Sequence, residues 1–156
     1  MKAGNPFDLL LPSEMAKVAE DAGVYKATKH PFTTFFLAIT AGVFISIAFA
    51  FYITATTGTA AVPWGLAKLV GGICFSLGLM LVVVCGADLF TSTVLTVVAK
   101  ASGRISWAQL ARNWIIVYVG NFIGAILFVA LIWFAGQYMA ANGAWGLNVL
   151  QTADHK

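Results

Sequence analysis

Residues able to do chemistry are concentrated at one interruption of a long apolar segment. Asp88 is the only acidic residue between positions 69 and 100, and Gly86 lies just before it. A hydroxyl cluster follows, made of Thr91, Ser92 and Thr93. Glycine permits a turn that other residues resist, and Asp, Ser or Thr can cap a helix that starts again. The pattern predicts a long half-helix, a short loop inside the membrane, and a short second half-helix.

A helix that restarts within a membrane can bind a small anion. Its first backbone N–H groups have no partner inside the helix, and the helix dipole makes that end positive. Interrupted apolar segments mark substrate sites in transporters. We therefore predict an anion site in the loop, formed by Asp88, Thr91, Ser92 and Thr93. Because a carboxylate repels anions, we expect Asp88 to cap the N–H groups of its own loop and to be neutralised there.

Bulky apolar residues flank this loop on both sides. Leu89 and Phe90 follow Asp88 directly and would narrow a passage beside it. One face of the preceding half-helix alternates small and bulky residues, namely Gly71, Phe75, Gly78, Leu79 and Val82. Such a face fits the wall of a constricted pore. It fits equally well a packing face on which glycines admit a neighbouring helix.

The composition restricts the class of protein. Of the 156 residues, 60% are hydrophobic and only 10% are charged, whereas soluble domains have about 25% charged residues. This excludes a soluble enzyme, a disordered chain and a nucleic-acid-binding domain, and it predicts an integral membrane protein. No metal-ligand cluster, catalytic constellation or phosphate-binding glycine loop is present in the sequence, so we expect neither enzymatic activity nor a cofactor.

Charge-free runs define the predicted organisation. We expect spans at about 32–53, at 68–85 with 92–100 as the broken helix, and at 107–136, together forming a membrane unit over 31–156. Basic residues collect before the first span and between the second and third, which places both of these segments in the cytoplasm. Residues 1–30 would therefore be a cytoplasmic segment, and it would contain an amphipathic helix at 13–28. Ser106 and Gln109 predict a capping box at the start of the third span.

Three further features have local interpretations. Asn121 is expected to form an interhelical hydrogen bond, and Gly120 with Gly124 makes a G-x-x-x-G motif that predicts close helix packing, within or between subunits. On the N-terminal helix, apolar residues recur at helical spacing. The helix is expected either to pack against the bundle or to act as a gate or docking site. Its apolar stripe consists of Met15, Val18, Ala19, Ala22 and Tyr25.

The segment Cys85–Ser92 resembles the corresponding loop of the formate/nitrite transporter family. The resemblance extends to the segments 5–12, 68–75 and 145–156, and covers essentially the whole chain. It implies an all-α, aquaporin-like membrane fold of six spans in two inverted repeats, of which this chain is the first. It also implies a homopentamer in the membrane lipid of the bacterial inner membrane, with one pore in each subunit.

The same resemblance implies a function and residue roles. Formate, and in relatives nitrite or hydrosulfide, would pass through a hydrophobic pore. Phe75 would belong to the periplasmic-side constriction, and Leu79, Leu89 and Phe90 to the central and cytoplasmic-side constriction. Thr91 would lie on the mobile loop, and Lys156 would attract anions. The N-terminal helix would take part in gating and contact a formate-producing enzyme.

One departure from the family is large. The family continues into a second repeat with a pore histidine, which neither His30 nor His155 matches. We therefore expect the sequence to be a fragment of a channel rather than an autonomous half-length chain. Two other functions remain open: a non-conducting membrane anchor that docks a cytoplasmic partner through residues 1–30, and a neutral-solute facilitator. The facilitator is disfavoured by the lack of an Asn-Pro-Ala-type half-helix cap.

Overall fold

A computed structural model describes residues 11–154, and all regular secondary structure in this range is helical. The α-helices are α1 Pro12–Thr28, α2 Pro31–Thr56, α3 Trp64–Val84, α4 Phe90–Thr93, α5 Thr96–Ala101, α6 Trp107–Phe134 and α7 Ala144–Asp154. A 3-10 turn, Gln137–Met139, precedes α7.

Three of these helices, α2, α3 and α6, are long and apolar enough to cross a membrane. α2 is the central helix and packs against both α3 and α6. The spans are longer than predicted at two ends: α2 continues to Thr56 and α3 begins at Trp64. The predicted capping box is confirmed at the start of α6, where the Gln109 N–H donates to Ser106 Oγ at 3.1 Å and the Ser106 N–H donates to Gln109 Oε1 at 2.8 Å.

Glycines set the distance between α2 and α6. A Cβ added at Gly120 would lie 2.5 Å from the Cβ of Ala38, and one at Gly124 would collide with the carbonyl oxygen of Ile39. Gly42 of α2 approaches the backbone of Asn121 as closely. The close packing predicted from the G-x-x-x-G motif is therefore confirmed, and it takes place within the chain.

Two glycines of α3, Gly71 and Gly78, face α2. A Cβ at Gly71 would lie 2.7 Å from the ring of Tyr52, and one at Gly78 would lie 2.7 Å from the Cβ of Ala48. Val82 is buried on the same side. The glycines of the alternating face thus serve helix packing, whereas Leu79 remains 50% exposed.

α7 is a helix that the sequence patterns do not predict. α6 ends at Phe134, and Gly136 follows with a φ of 68° that stops the helix. α7 is then attached to the C-terminal end of α2: Trp145 Nε1 donates to Thr54 Oγ1 at 3.0 Å, and Asn148 Nδ2 donates to the Ile53 carbonyl at 3.1 Å. These contacts join residues that are distant in sequence, so no local sequence pattern predicts α7.

Candidate functional site: the broken second span

The break after α3 is formed by a glycine turn. Gly86 has a φ of 63°, and the Ala87 N–H donates to the Val82 carbonyl at 2.9 Å while the Gly86 N–H donates to the Val83 carbonyl at 3.3 Å. This pair of hydrogen bonds is a Schellman motif, which satisfies carbonyl groups at the end of a helix. The predicted interruption at Gly86 is confirmed.

The second half of the broken span is less regular than predicted. The sequence predicts one half-helix at 92–100, but the chain forms α4 and α5 with Val94 and Leu95 between them. Across this junction the hydrogen bonds are of the tighter i to i−3 type, such as the Leu95 N–H to the Ser92 carbonyl at 3.3 Å.

The amino-terminal end of α4 is capped by a side chain of another helix. Asn121 of α6 accepts a hydrogen bond from the Phe90 N–H through Oδ1 at 2.8 Å. Its Nδ2 donates to the carbonyls of Ala38 at 2.8 Å and of Asp88 at 2.9 Å. The interhelical role expected for Asn121 is confirmed. Asn121 joins α6, α2 and the loop.

Asp88 is neutralised differently from the sequence-based expectation. Asp88 is 3% exposed. Its carboxylate pairs with Lys29 Nζ at 2.8 Å and with Lys26 Nζ at 3.1 Å. Among the described residues, no backbone N–H donates to this carboxylate, so the prediction that Asp88 caps its own loop is wrong. A buried charge requires a partner. Here Lys26 of α1 and Lys29, which caps the end of α1, supply two positive charges.

Four further contacts attach α1 beneath the loop. Arg112 Nη2 donates to the Ala27 carbonyl at 3.1 Å, and Asn113 Nδ2 donates to the Lys26 carbonyl at 3.0 Å. Arg104 pairs with Glu20 and Asp21, and the hydrogen bond to Asp21, followed by that to Glu20, raises the pKa of the guanidinium. The second half of α1 is therefore fixed to the bundle.

The face of α1 that packs against the bundle is not its apolar stripe. Gly23 and Ala27 are buried, and a Cβ at Gly23 would lie 3.0 Å from the Cβ of Ala99 in α5. Met15, Val18 and Tyr25 remain 58%, 53% and 67% exposed. The expectation that this helix packs against the bundle is confirmed. It packs through small residues, because these permit a closer approach than the bulky stripe.

The three predicted hydroxyl residues occupy different environments. Thr91 is exposed, and its backbone N–H has no acceptor among the described residues. Ser92 Oγ donates to the Leu89 carbonyl at 2.9 Å and accepts from Lys26 Nζ at 3.3 Å. Thr93 is fully buried, with an Oγ1 that has no partner in the described part of the chain. Of the three, Thr91 alone is exposed.

The predicted constriction residues are placed by aromatic and apolar contacts. The Phe75 ring meets Phe49 edge-on with centroids 4.8 Å apart. The Phe90 ring meets Tyr118 at 5.4 Å and Trp114 at 6.3 Å. Leu89 packs against a buried cluster of Ala41, Val82 and Ala87. His155 and Lys156, including the predicted anion-attracting residue, lie outside the described residues.

Lys26 and Lys29 are the site residues that sequence reasoning missed. In the sequence, both stand out only as charges that orient the chain in the membrane. The available signal was the buried position of Asp88, which required a cation that the loop itself does not contain.

Comparisons with known proteins agree with this architecture. The model of the formate/nitrite transporter family matches residues 13–156. The formate channel FocA of Escherichia coli K12 is 80% identical over 156 residues, which are all of this chain and 55% of that protein. FocA of Haemophilus influenzae is 54% identical over 147 residues, 94% of this chain and 52% of that protein.

A solved structure described as a pentameric formate channel with formate bound has a TM-score of 0.76 and 51% identity, covering 81% of this chain and 49% of that one. The chain spans about half the length of the curated relatives it matches. Its apolar helices and these relatives make it a multi-pass membrane protein. It belongs to the formate/nitrite transporter family.

Proposed function

We propose that this chain forms the first three spans of a formate channel, which moves small monovalent anions through a hydrophobic pore in each subunit. Formate is the primary substrate, with nitrite and hydrosulfide as further members of the same class. The observation that supports this most directly is the broken second span in a chain that is 80% identical to a formate channel.

The proposed barrier consists of Phe75, Leu79, Leu89 and Phe90. Dehydrating a carboxylate between apolar side chains is costly, so such residues exclude ions that gain no compensating contact. The edge contacts of Phe90 with Tyr118 and Trp114 restrict the rotamers of its ring. A ring held in this way can define a pore width.

The charges around the loop reduce the electrostatic repulsion that Asp88 would exert on an anion. Two lysines offset the carboxylate of Asp88, which removes most of the repulsion expected from its charge. The exposed Thr91 offers a hydroxyl and an unpaired N–H. We propose that these groups contact the anion, while Ser92 and Lys26 hold the loop, and that Lys156 concentrates anions at the entrance of the pore.

We also propose the assembly and location. The chain functions in a homopentamer in the bacterial inner membrane, with its N-terminus in the cytoplasm, and the other pore wall comes from a segment that corresponds to the second half of the relatives. An apolar groove of about 760 Å³ lies between α2, α6 and α7. It supports the proposal that another segment or subunit packs against this chain, since apolar surface of this kind is normally covered.

Formate flux tests the proposal. The full-length channel is reconstituted in proteoliposomes, and formate uptake is compared with uptake by empty liposomes. We expect uptake well above that of empty liposomes, and uptake of glycerol, a neutral solute, that does not exceed theirs. Formate uptake no greater than that of empty liposomes would contradict a channel, and equal uptake of glycerol would favour the neutral-solute facilitator.

The exposed stripe on α1 favours a second role, docking of a cytoplasmic partner such as a formate-producing enzyme. Met15, Val18 and Tyr25 are free of contacts that would bury them in the described chain. The double variant Met15→Glu, Val18→Glu should abolish partner binding while leaving flux intact. Partner binding by an unmodified protein that shows no flux would favour a non-conducting anchor.

A further inference from the structure

We propose that Lys68 and Tyr52 form a carboxylate-receiving site at the end of the bundle opposite α1. The site deepens the proposed anion channel and depends on it. Lys68 Nζ donates to Tyr52 Oη at 2.8 Å. The same ammonium lies 5.6 Å from the centroid of the Tyr52 ring and 6.0 Å from that of Trp64. These contacts hold a normally flexible side chain in one place.

The pair retains the hydrogen-bond donors that an anion needs. An ammonium has three donors and no acceptor, and only one of the three is used by Tyr52. Because the Tyr52 hydroxyl accepts from Lys68, its own proton is available, and it has no acceptor among the described residues. Two adjacent donors, one of them charged, can bind the two oxygens of a small carboxylate.

No carboxylate competes for this ammonium in the described part of the chain, where the ion pairs involve only Lys26, Lys29 and Arg104 as cations. The sequence contains no Asp or Glu between positions 22 and 87. Lys68 is exposed to solvent. Its charge therefore remains available to anions arriving from solution.

Aromatic contacts lead from this pair to the predicted constriction. The Tyr52 ring lies against Gly71, where a Cβ would be only 2.7 Å away. The Phe49 ring contacts both Tyr52, at 6.5 Å, and Phe75, at 4.8 Å. Lys68 precedes Phe75 by two helical turns, a rise of about 10 Å on nearly the same face of α3. The pair thus lies in front of Phe75 on the route that an anion would take.

Initial rates of formate uptake at low and high salt test this site in the reconstituted full-length channel. The variants are Lys68→Met, Lys68→Arg and Tyr52→Phe. Lys100→Met is the matched control, because Lys100 also lies over an aromatic ring, 5.1 Å from the centroid of Trp107, but follows the break at the other end of α3. Vesicles in which the Lys68 end faces the bath are selected by accessibility of a tag.

We expect Lys68→Met to lower uptake about threefold to tenfold at ~0.01 M salt, and the deficit to disappear near ~1 M, where screening shortens the range of the charge to about 3 Å. Lys68→Arg should retain most of the rate. Tyr52→Phe, which keeps the ring against Gly71, should lower it about twofold to tenfold, the equivalent of one hydrogen bond. Lys100→Met should match the unmodified channel.

Two results would overturn the site. One is a Lys68→Met channel with the rate and salt dependence of the unmodified protein. The other is a deficit that persists unchanged at high salt, which would indicate a packing role. If Lys68→Met does not assemble, normal uptake by Tyr52→Phe overturns the site instead. In each case the unmodified channel still conducts, so failure of this site is distinguishable from failure of the channel proposal, in which no variant conducts.

Discussion

The side-chain oxygen of Asn121 accepts a hydrogen bond from the Phe90 N–H at 2.8 Å, so a residue of the third span caps the restarted half of the second. The same amide donates to the backbone of α2 and of the loop. The loop is therefore positioned by a neighbouring helix, and its geometry does not depend on its own polar residues alone.

Replacing Asn121 with Leu, which has a similar volume, should remove three hydrogen bonds. It should leave the Phe90 N–H and the Asp88 carbonyl without a partner among the described residues. We expect the free energy of unfolding to fall by about 2–4 kcal/mol and formate flux to change. Asn148→Leu is the control, since Asn148 also donates to several oxygens at the far end of α2. Thermal unfolding should be affected in both variants, but flux only in Asn121→Leu. Unchanged flux in both would show that the cap does not position the pore loop.

Asp88→Asn should loosen α1. The substitution keeps the shape of the side chain but leaves Lys26 and Lys29 without their carboxylate, and a partly buried ammonium without a counter-charge is unfavourable. Hydrogen exchange at residues 12–28 should become faster. Arg104→Gln removes the ion pairs of an Arg side chain that is 40% exposed. Ion pairs of exposed side chains contribute little to stability, so hydrogen exchange in α1 should rise less than in Asp88→Asn. A larger effect of Arg104→Gln would mean that the surface pairs, not Asp88, hold α1.

Phe90→Ala should widen the proposed pore. The ring contacts Tyr118 and Trp114, and its removal leaves a gap beside the loop. Flux of formate and of a larger monocarboxylate such as lactate should both rise, with the greater relative increase for lactate. Phe122→Ala provides the same truncation at a residue of α6 that is 59% exposed, and it should leave both fluxes unchanged. Equal selectivity in the Phe90 variant and the unmodified channel would make Phe90 a packing residue.

Gly124→Ala should destabilise the α2–α6 pair. The added methyl group would meet the Ile39 carbonyl, a backbone atom that cannot move independently. Overpacking of this kind costs about 1–3 kcal/mol. Gly72→Ala is the control, because its Cβ would enter open space and Ala favours a helix by about 1 kcal/mol over Gly. Melting temperatures should therefore shift in opposite directions, and a stable Gly124→Ala variant would contradict the close approach of the two helices.

The sequence by itself determined the features that depend on neighbouring residues. The three spans follow from the length of their apolar runs, the turn at Gly86 from the conformational freedom of glycine, and the start of α6 from Ser106 and Gln109. Each of these signals lies within a few positions or within one continuous segment, and this is why local patterns suffice to find them.

Tertiary structure decided which groups meet at the loop. Lys29 and Asp88 are 59 positions apart, and Asn121 and Phe90 are 31 apart, so no local pattern pairs them. The close approach allowed by Gly23 likewise determines which face of α1 is buried, although the apolar stripe lies elsewhere. Burial makes an unpaired charge or amide costly wherever its partner lies in the sequence, and only packing brings that partner to it.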